Sequence, residues 1–208
     1  EVAVQSSLFT EKGTERIIRF AFDLARTRKR KKVTSVTKSN AQQYGMVLWD
    51  EVFERVSKEY PDVETDQYLV DAMAARFIMQ PEELEVVVAS NLFADILSDL
   101  GSAMSGSLGI ASSANLNPER RTPSMFESVH GSAPDIAGEG IANPIGTIES
   151  ASLMLDHFGL EDEAAEIHKA IRSTTRKGIL TRDLGGNYDT EDVTNAIIEN
   201  LAPVTDKA

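Results

Sequence analysis

Hydrophobic and polar positions recur along this chain with two periods, and the switches between them mark out its elements. Val86-Val87-Val88 is a short apolar run that suits a strand buried on both faces. After it, Leu92, Phe93, Ile96, Leu97 and Leu100 recur at helical spacing, with Ser90 or Asn91 placed to cap the helix. Upstream, Val2, Val4 and Leu8 read as a strand ending near Phe9-Thr10. A helix over 11–26 then carries Ile17, Ile18, Ala21, Leu24 and Ala25 on one side. A strand over 33–36 follows, and then a helix facing Trp49, Val52, Phe53 and Val56 inward. A turn at Pro61 leads to a short strand over 63–67 and a helix carrying Leu69, Val70, Met73 and Phe77. Strands alternating with helices make this an α/β chain.

From Ser105 onward the texture changes. Gly106, Gly109 and 111–115 are small and polar, which places a domain crossover near residue 105, with 1–105 and 106–208 in different domains. Met125-Phe126-Glu127 reads as a strand, followed by a Gly-, Ala- and Ser-rich loop over 130–144. Asn143 is a good N-cap and Pro144 a good first helical residue. Two more helix faces follow, Ile148, Ala151, Ser152 and Leu155, then Ala164, Ile167, His168 and Ile171, the second closed by Lys177-Gly178. Gly185-Gly186 turns the chain, and Val193, Ala196, Ile197 and Leu201 line a final helix. His157 and His168 lie in helical patterns without ligand partners nearby in sequence and read as structural residues.

Composition narrows the function. The net charge of −12 over 208 residues argues against nucleic acid or an anionic membrane as partner. The basic run from Arg26 to Lys32 lacks interleaved aromatics, so a solvated helix end accounts for it. There is no cysteine, no signal peptide and no apolar run near the roughly 20 residues that span a bilayer, so a cytoplasmic location is expected. The opening Glu1-Val2-Ala3-Val4 lacks an initiator Met and is already strand-like, which suggests a processed, cropped or fragmentary chain.

Four features carry candidate chemistry. Asp95 and Asp99 stand four apart, so both carboxylates leave one face of their helix. That repulsion costs an isolated helix roughly 0.2–0.5 kcal/mol. A divalent cation turns it into chelation, and hard oxygen donors suit Mg²⁺ or Mn²⁺. On spacing alone a solvated acidic face is the favoured reading. Lys38 follows a strand and precedes small polar residues, a reasonable place for a proton-transfer group, although most lysines are plain surface groups. Asp71 sits among apolar neighbours, where a carboxylate needs a partner or a helix N-terminus. In the 130–144 loop, small residues let backbone N–H groups approach a ligand, so a nucleotide-binding loop is plausible. Neither the G-x-G-x-x-G nor the P-loop fingerprint occurs anywhere.

Three of these segments in this order resemble one family. Thr37-Lys38-Ser39-Asn40, the helix from Asn91 to Asp99, and the loop from His130 to Pro144 are similar to those of the metal-dependent decarboxylating β-hydroxyacid dehydrogenases. That family includes the isocitrate, isopropylmalate and homoisocitrate dehydrogenases. Within it, Trp49-Asp50-Glu51, Ala74-Ala75-Arg76-Phe77 and the run from Ser113 to Arg120 most resemble the tartrate and D-malate dehydrogenase branch.

The resemblance implies a two-domain α/β fold of isocitrate/isopropylmalate dehydrogenase type, with only about half of each domain here. Residues 1–105 would belong to the smaller domain and 106–208 to the larger, cofactor-binding one. It implies Asp71, Asp95 and Asp99 as ligands of Mg²⁺ or Mn²⁺, with K⁺ as an additional candidate cation. Lys38 is implied in proton transfer. His130, Gly131, Ser132, Ala133, Pro134, Asp135, Ile136 and Asn143 are implied in binding the adenosine part of NAD. Asp135-Ile136 is the pair of NAD-using members, since an acidic side chain accepts from the ribose 2′-OH and repels a 2′-phosphate. The implied reaction is oxidation of a 2-hydroxy dicarboxylate such as D-malate or tartrate, with or without decarboxylation. It would occur in a homodimer whose active sites share residues matching Lys38 and Asp71. An isopropylmalate dehydrogenase, and a non-catalytic truncated or regulatory subunit, are the alternatives. Ala94 stands where the family usually has glycine, and Phe9 where it often has tyrosine. The substrate-gripping arginines of the family's N-terminal half have no counterpart in the chain, so these 208 residues alone are expected to lack turnover.

Overall fold

The computed structural model describes residues 1–201. The chain divides into two compact units, Glu1–Gly101 and Ser102–Ala208. In the first, α1 (Glu11–Arg26), β1 (Lys32–Thr37), α2 (Gly45–Ser57), β2 (Glu64–Leu69), α3 (Val70–Met79), β3 (Val86–Val88) and α4 (Asn91–Met104) follow in order, with α4 running on past Gly101. The three strands form one parallel sheet in the order β2-β1-β3. Because β1 lies in the middle, it needs side chains that tolerate burial on both faces, and Val33 through Thr37 are all buried. Its buried Ser35 hydroxyl is satisfied by the Trp49 indole N–H of α2 at 2.9 Å. Lys32 reaches Glu64 at 3.0 Å and Asp66 at 2.7 Å on the neighbouring strand, which favours the observed register.

Helices α1 and α2 build the core of this unit. Ile18, Phe22 and Ala25 of α1 meet Trp49, Phe53 and Val56 of α2 over the valines of the sheet. Thr10 caps α1 by accepting from the Gly13 N–H at 3.2 Å. The basic run is neutralised where it ends: Arg26 pairs with Asp62 at 2.6 Å, and the Glu85 carboxylate accepts from the Arg30 and Lys32 N–H groups at 2.9 and 3.2 Å.

The strand expected over Val2 to Leu8 does not form. Those side chains are 85–91% exposed, and no described strand lies beside them. Alternating apolar residues make a strand only when a sheet edge supplies ladder partners, and neither outer strand, β2 or β3, pairs with this segment.

The second unit holds an antiparallel pair, β4 (Ser112–Asn115) and β5 (Met125–Ser128), and three helices, α5 (Ile145–Phe158), α6 (Glu161–Arg176) and α7 (Thr190–Asn200). Strand β4 falls where the sequence reads as irregular, because Ser-Ser-Ala-Asn has no strand signal of its own. Pairing Ala114 with Phe126 makes it a strand. Ile145, Ala170, Ile171, Val193 and Ile197 form the apolar centre. Gly146 lets α5 start hard against the preceding loop, since a Cβ there would lie 2.9 Å from both the Gly109 and Ala111 carbonyl oxygens. His168 ties α6 to α5, with Nδ1 at 2.8 Å from Glu149 and Nε2 at 3.0 Å from the Ser152 hydroxyl. Among the described residues no helix is long and apolar enough to cross a membrane.

Candidate active site

The parallel sheet sends its three C-terminal strand ends to one edge, and the candidate catalytic residues of the first unit all follow those ends. Lys38 comes directly after β1. Asp71 comes two residues after Leu69, which pairs with Thr37 in the β1–β2 register. This register delivers the two side chains to each other, and Lys38 Nζ donates to Asp71 Oδ1. Asp71 also occupies the first turn of α3, where free N–H groups favour an anion. Lys38 foremost, with a backbone N–H, holds the Asp71 carboxyl below its usual range. The Asp71 side chain remains 65% exposed, so the pair is screened and the carboxylate keeps lone pairs for another ligand.

Strand β3 leads into α4, whose Phe93 and Leu97 are buried against the sheet. Asp95 and Asp99 therefore leave the opposite side and are exposed, flanked by Leu92 (62% exposed) and Ile96 (55%). Neither carboxylate makes an ion pair or side-chain hydrogen bond among the described residues. They are two uncompensated anions on one helix face. The chain does not bring Asp71 to them: among the described residues no three acidic or histidine side chains converge on a metal-sized point.

In the second unit the candidate loop runs from His130 to Asn143. Residues 131–135 and 137–140 are exposed, and Ile136 is half-buried. Pro134–Ile136 makes one 3-10 turn, entered through Ala133 at φ 40°, ψ 62°. A left-handed alanine costs on the order of 1–2 kcal/mol, so the surrounding chain imposes this bend. His130 Nδ1 lies 3.0 Å from the Gly131 carbonyl oxygen. Asp135 has no partner among the described residues. A Cβ on Gly131, Gly138 or Gly140 would meet nothing within 4 Å, so this stretch of backbone is open to a ligand.

Asn143 is 8% exposed and its side-chain oxygen accepts the Ile145 N–H at 3.0 Å, although the helix starts at Ile145 with Pro144 at its N-cap, one residue later than the sequence reading placed it. Its amide NH₂ donates to Asp183 at 2.9 Å, and the Ser107 hydroxyl donates to the same carboxylate oxygen. The other Asp183 oxygen accepts from Thr181 at 2.5 Å. Burial pushes the Asp183 carboxyl up, but these three donors outweigh it and hold the group below its usual range.

A family model described as isocitrate/isopropylmalate dehydrogenase matches residues 1–198. The chain belongs to this family.

Among its relatives, a probable tartrate dehydrogenase/decarboxylase of Agrobacterium vitis is 54% identical over 202 residues, which is 97% of this chain and 56% of that protein. The D-malate dehydrogenase (decarboxylating) of Escherichia coli K12 is 52% identical, over 95% of this chain and 56% of its own length. The crystal structure of isocitrate dehydrogenase from Methylococcus capsulatus superposes with a TM-score of 0.89 at 43% identity, covering 94% of this chain and 58% of that one. The chain thus spans about half the length of the curated relatives it matches.

In this isocitrate/isopropylmalate dehydrogenase family member, three features escape a sequence reading. Lys38 and Asp71 are each visible as candidates, but not as partners. Asp183 passes as part of a Gly-Gly turn, although Thr181 and Asp183 ahead of Gly185-Gly186 are residue types that hydrogen-bond local backbone and side chains. Thr190 draws no notice in the sequence, yet its N–H donates to the Gly140 carbonyl at 2.8 Å and its hydroxyl to that of Ala142 at 2.5 Å.

Proposed function

We propose that the whole protein oxidises a 2-hydroxy dicarboxylic acid, D-malate or tartrate, with NAD as hydride acceptor and Mg²⁺ or Mn²⁺ as activator, with or without decarboxylation. One observation carries this reading. Lys38, Asp71 and the Asp95–Asp99 helix all follow the C-terminal ends of three adjacent parallel strands, where open α/β sheets bind their ligands. The relatives named for tartrate and D-malate support the substrate class.

The donor set fits a hard divalent cation. Asp95 and Asp99 are exposed, unneutralised carboxylates at i and i+4, and Asp71 keeps free lone pairs beside Lys38. Asp71 does not join the other two within one chain, and the homodimer that the family resemblance implies would bring it to them from a second copy. A bound cation would supply Lewis acidity at the substrate hydroxyl and charge neutralisation at its carboxylate. Lys38 would accept the hydroxyl proton at Nζ as the neutral amine, after its ammonium has given one proton to water, and Asp71, the partner of that ammonium, orients the side chain. In the loop, Asp135 would accept from the ribose 2′-OH and disfavour a 2′-phosphate, while the open backbone around Gly131 and Gly138 would receive the adenosine.

The test is NADH formation by the purified whole protein with Mn²⁺ on D-malate, tartrate and 3-isopropylmalate. Lys38→Met is expected to lower kcat by roughly 10²–10⁴-fold while leaving the circular dichroism spectrum unchanged. A higher kcat/KM for 3-isopropylmalate would move the protein to another branch. Equal or better kcat/KM with NADP would show that Asp135 does not face the ribose.

A further inference from the structure

The loop over 130–143 is open along its middle but held at its far end by two unrelated clamps. The first is the Asp183 carboxylate. One of its oxygens takes the Asn143 amide at 2.9 Å and the Ser107 hydroxyl, and the other takes Thr181 at 2.5 Å. Asn143 is then committed at both ends of its amide, its NH₂ to Asp183 and its carbonyl to the Ile145 N–H at 3.0 Å. This leaves the side chain one orientation and fixes the junction between loop and α5. The segment before β4 closes over the pair, because a Cβ on Gly109 would lie 2.8 Å from both Asn143 Cβ and Asp183 Oδ2. The second clamp is Thr190, at the start of α7, which holds the Gly140 carbonyl through its N–H and the Ala142 carbonyl through its hydroxyl. Asp189 sets that helix start by a capping box with Asp192.

A loop with few apolar contacts and exposed backbone samples open forms cheaply unless specific bonds hold it. Residues 131–140 have no fully buried side chain and only Ile136 is half-buried, so apolar contact does little of the holding. We propose that Asp183, seconded by Thr190, is a positioning residue: it holds the C-terminal end of the 130–143 loop in the form that receives the cofactor, and so sets the affinity for NAD without touching it. This rests on the reading of the loop as the adenosine site given above. The apparent affinity of a ligand falls with the fraction of protein in its competent form, so a loosened clamp raises the KM for NAD and spares kcat at saturation.

The test uses the whole protein with Asp183→Asn and Thr190→Val, and Ser173→Ala as control. Ser173 bonds Asn200 at 2.9 Å, on the α6–α7 contact away from the loop. Amide exchange over 131–142 is expected to speed up about tenfold in Asp183→Asn and about threefold in Thr190→Val, with the KM for NAD rising by similar factors. The KM for the hydroxyacid and kcat should stay near wild type, and Ser173→Ala should change none of these. Unaltered loop exchange in both variants overturns the inference. Faster exchange with an unchanged KM for NAD would overturn the role of the clamp in cofactor affinity, whereas the reading of this loop as the adenosine site fails separately, by an equal or better kcat/KM with NADP. A general loss of fold in Asp183→Asn would show as a lower Tm with kcat and both KM values disturbed. In that case Thr190→Val, at the separate clamp, decides the question alone.

Discussion

The two units of the molecule hold themselves together in different ways. In the first, large side chains from two helices close over a parallel sheet. Phe22 stacks on Tyr60 at 4.7 Å and tilts against Phe53 at 5.6 Å, with Trp49, Val33, Val36 and Met73 around them. In the second, the apolar centre is a smaller group from three helices, and the strand pair and loops are fixed by polar bonds. Ser150 donates to Glu127 of β5 and to Gly146, His168 joins Glu149 to Ser152, and Asp183 and Thr190 hold the loop. Apolar burial is non-directional and tolerant, so it suits a scaffold that only has to place strand ends. Hydrogen bonds are directional and modest in net energy, so they suit a loop that must hold one shape while its backbone stays open.

Substitutions can break this contrast. Phe22→Ala removes a fully buried ring and is expected to destabilise the first unit by about 3–5 kcal/mol. Trp49, the chain's single tryptophan, lies in that core and reports its unfolding by fluorescence. A loss below about 1 kcal/mol would mean that the core there is loose enough to collapse around the gap. Ser150→Ala should have a smaller effect, about 1 kcal/mol, by leaving the Glu127 carbonyl without its 2.6 Å partner. Urea unfolding followed by circular dichroism measures that loss, and the Trp49 transition should not move. A shift of both signals together would show that the units unfold as one.

The smallest effect should come from pH. Asp183 has its carboxyl held below the ordinary 3.8, so the stability it contributes is fully present above that value and is lost as pH falls through the lowered one. The difference in urea midpoint between wild type and Asp183→Asn should therefore stay constant between about pH 5 and 8 and shrink below pH 3.8. A difference that instead fades between about pH 5 and 7 would point to another titrating group as the source.

Most elements were legible because their sequences carry their own period. The faces of α2 and α6 follow from apolar spacing, and Asn143-Pro144 announces the start of α5. Those of α1 and α7 do so except for Ile17 and Leu201, which are exposed, and for Phe22, which is buried in place of Ile17. Strand β4 was not legible, since its small polar residues become a strand only beside β5. The opposite failure occurs at Val2 to Leu8, where the pattern is a strand's and no described edge pairs with it. In both cases the deciding bonds belong to a neighbour remote in sequence.

The candidate site divides along the same line. Asp95 and Asp99 share a face because a helix repeats every 3.6 residues, and that much is local geometry, settled by the sequence itself. So is the small-residue texture of the 130–144 loop, which keeps side chains out of the way of its backbone. The meeting of Lys38 with Asp71 is not local. It depends on which strand lies beside β1 and on the register that sets Thr37 against Leu69. The hold of Asp183 on Asn143 joins residues forty apart, with Ser107 from a third segment. Periodicity and residue type act over a few bonds and can be read along the chain, whereas pairing and register arise from packing between segments, and only the folded structure decides them.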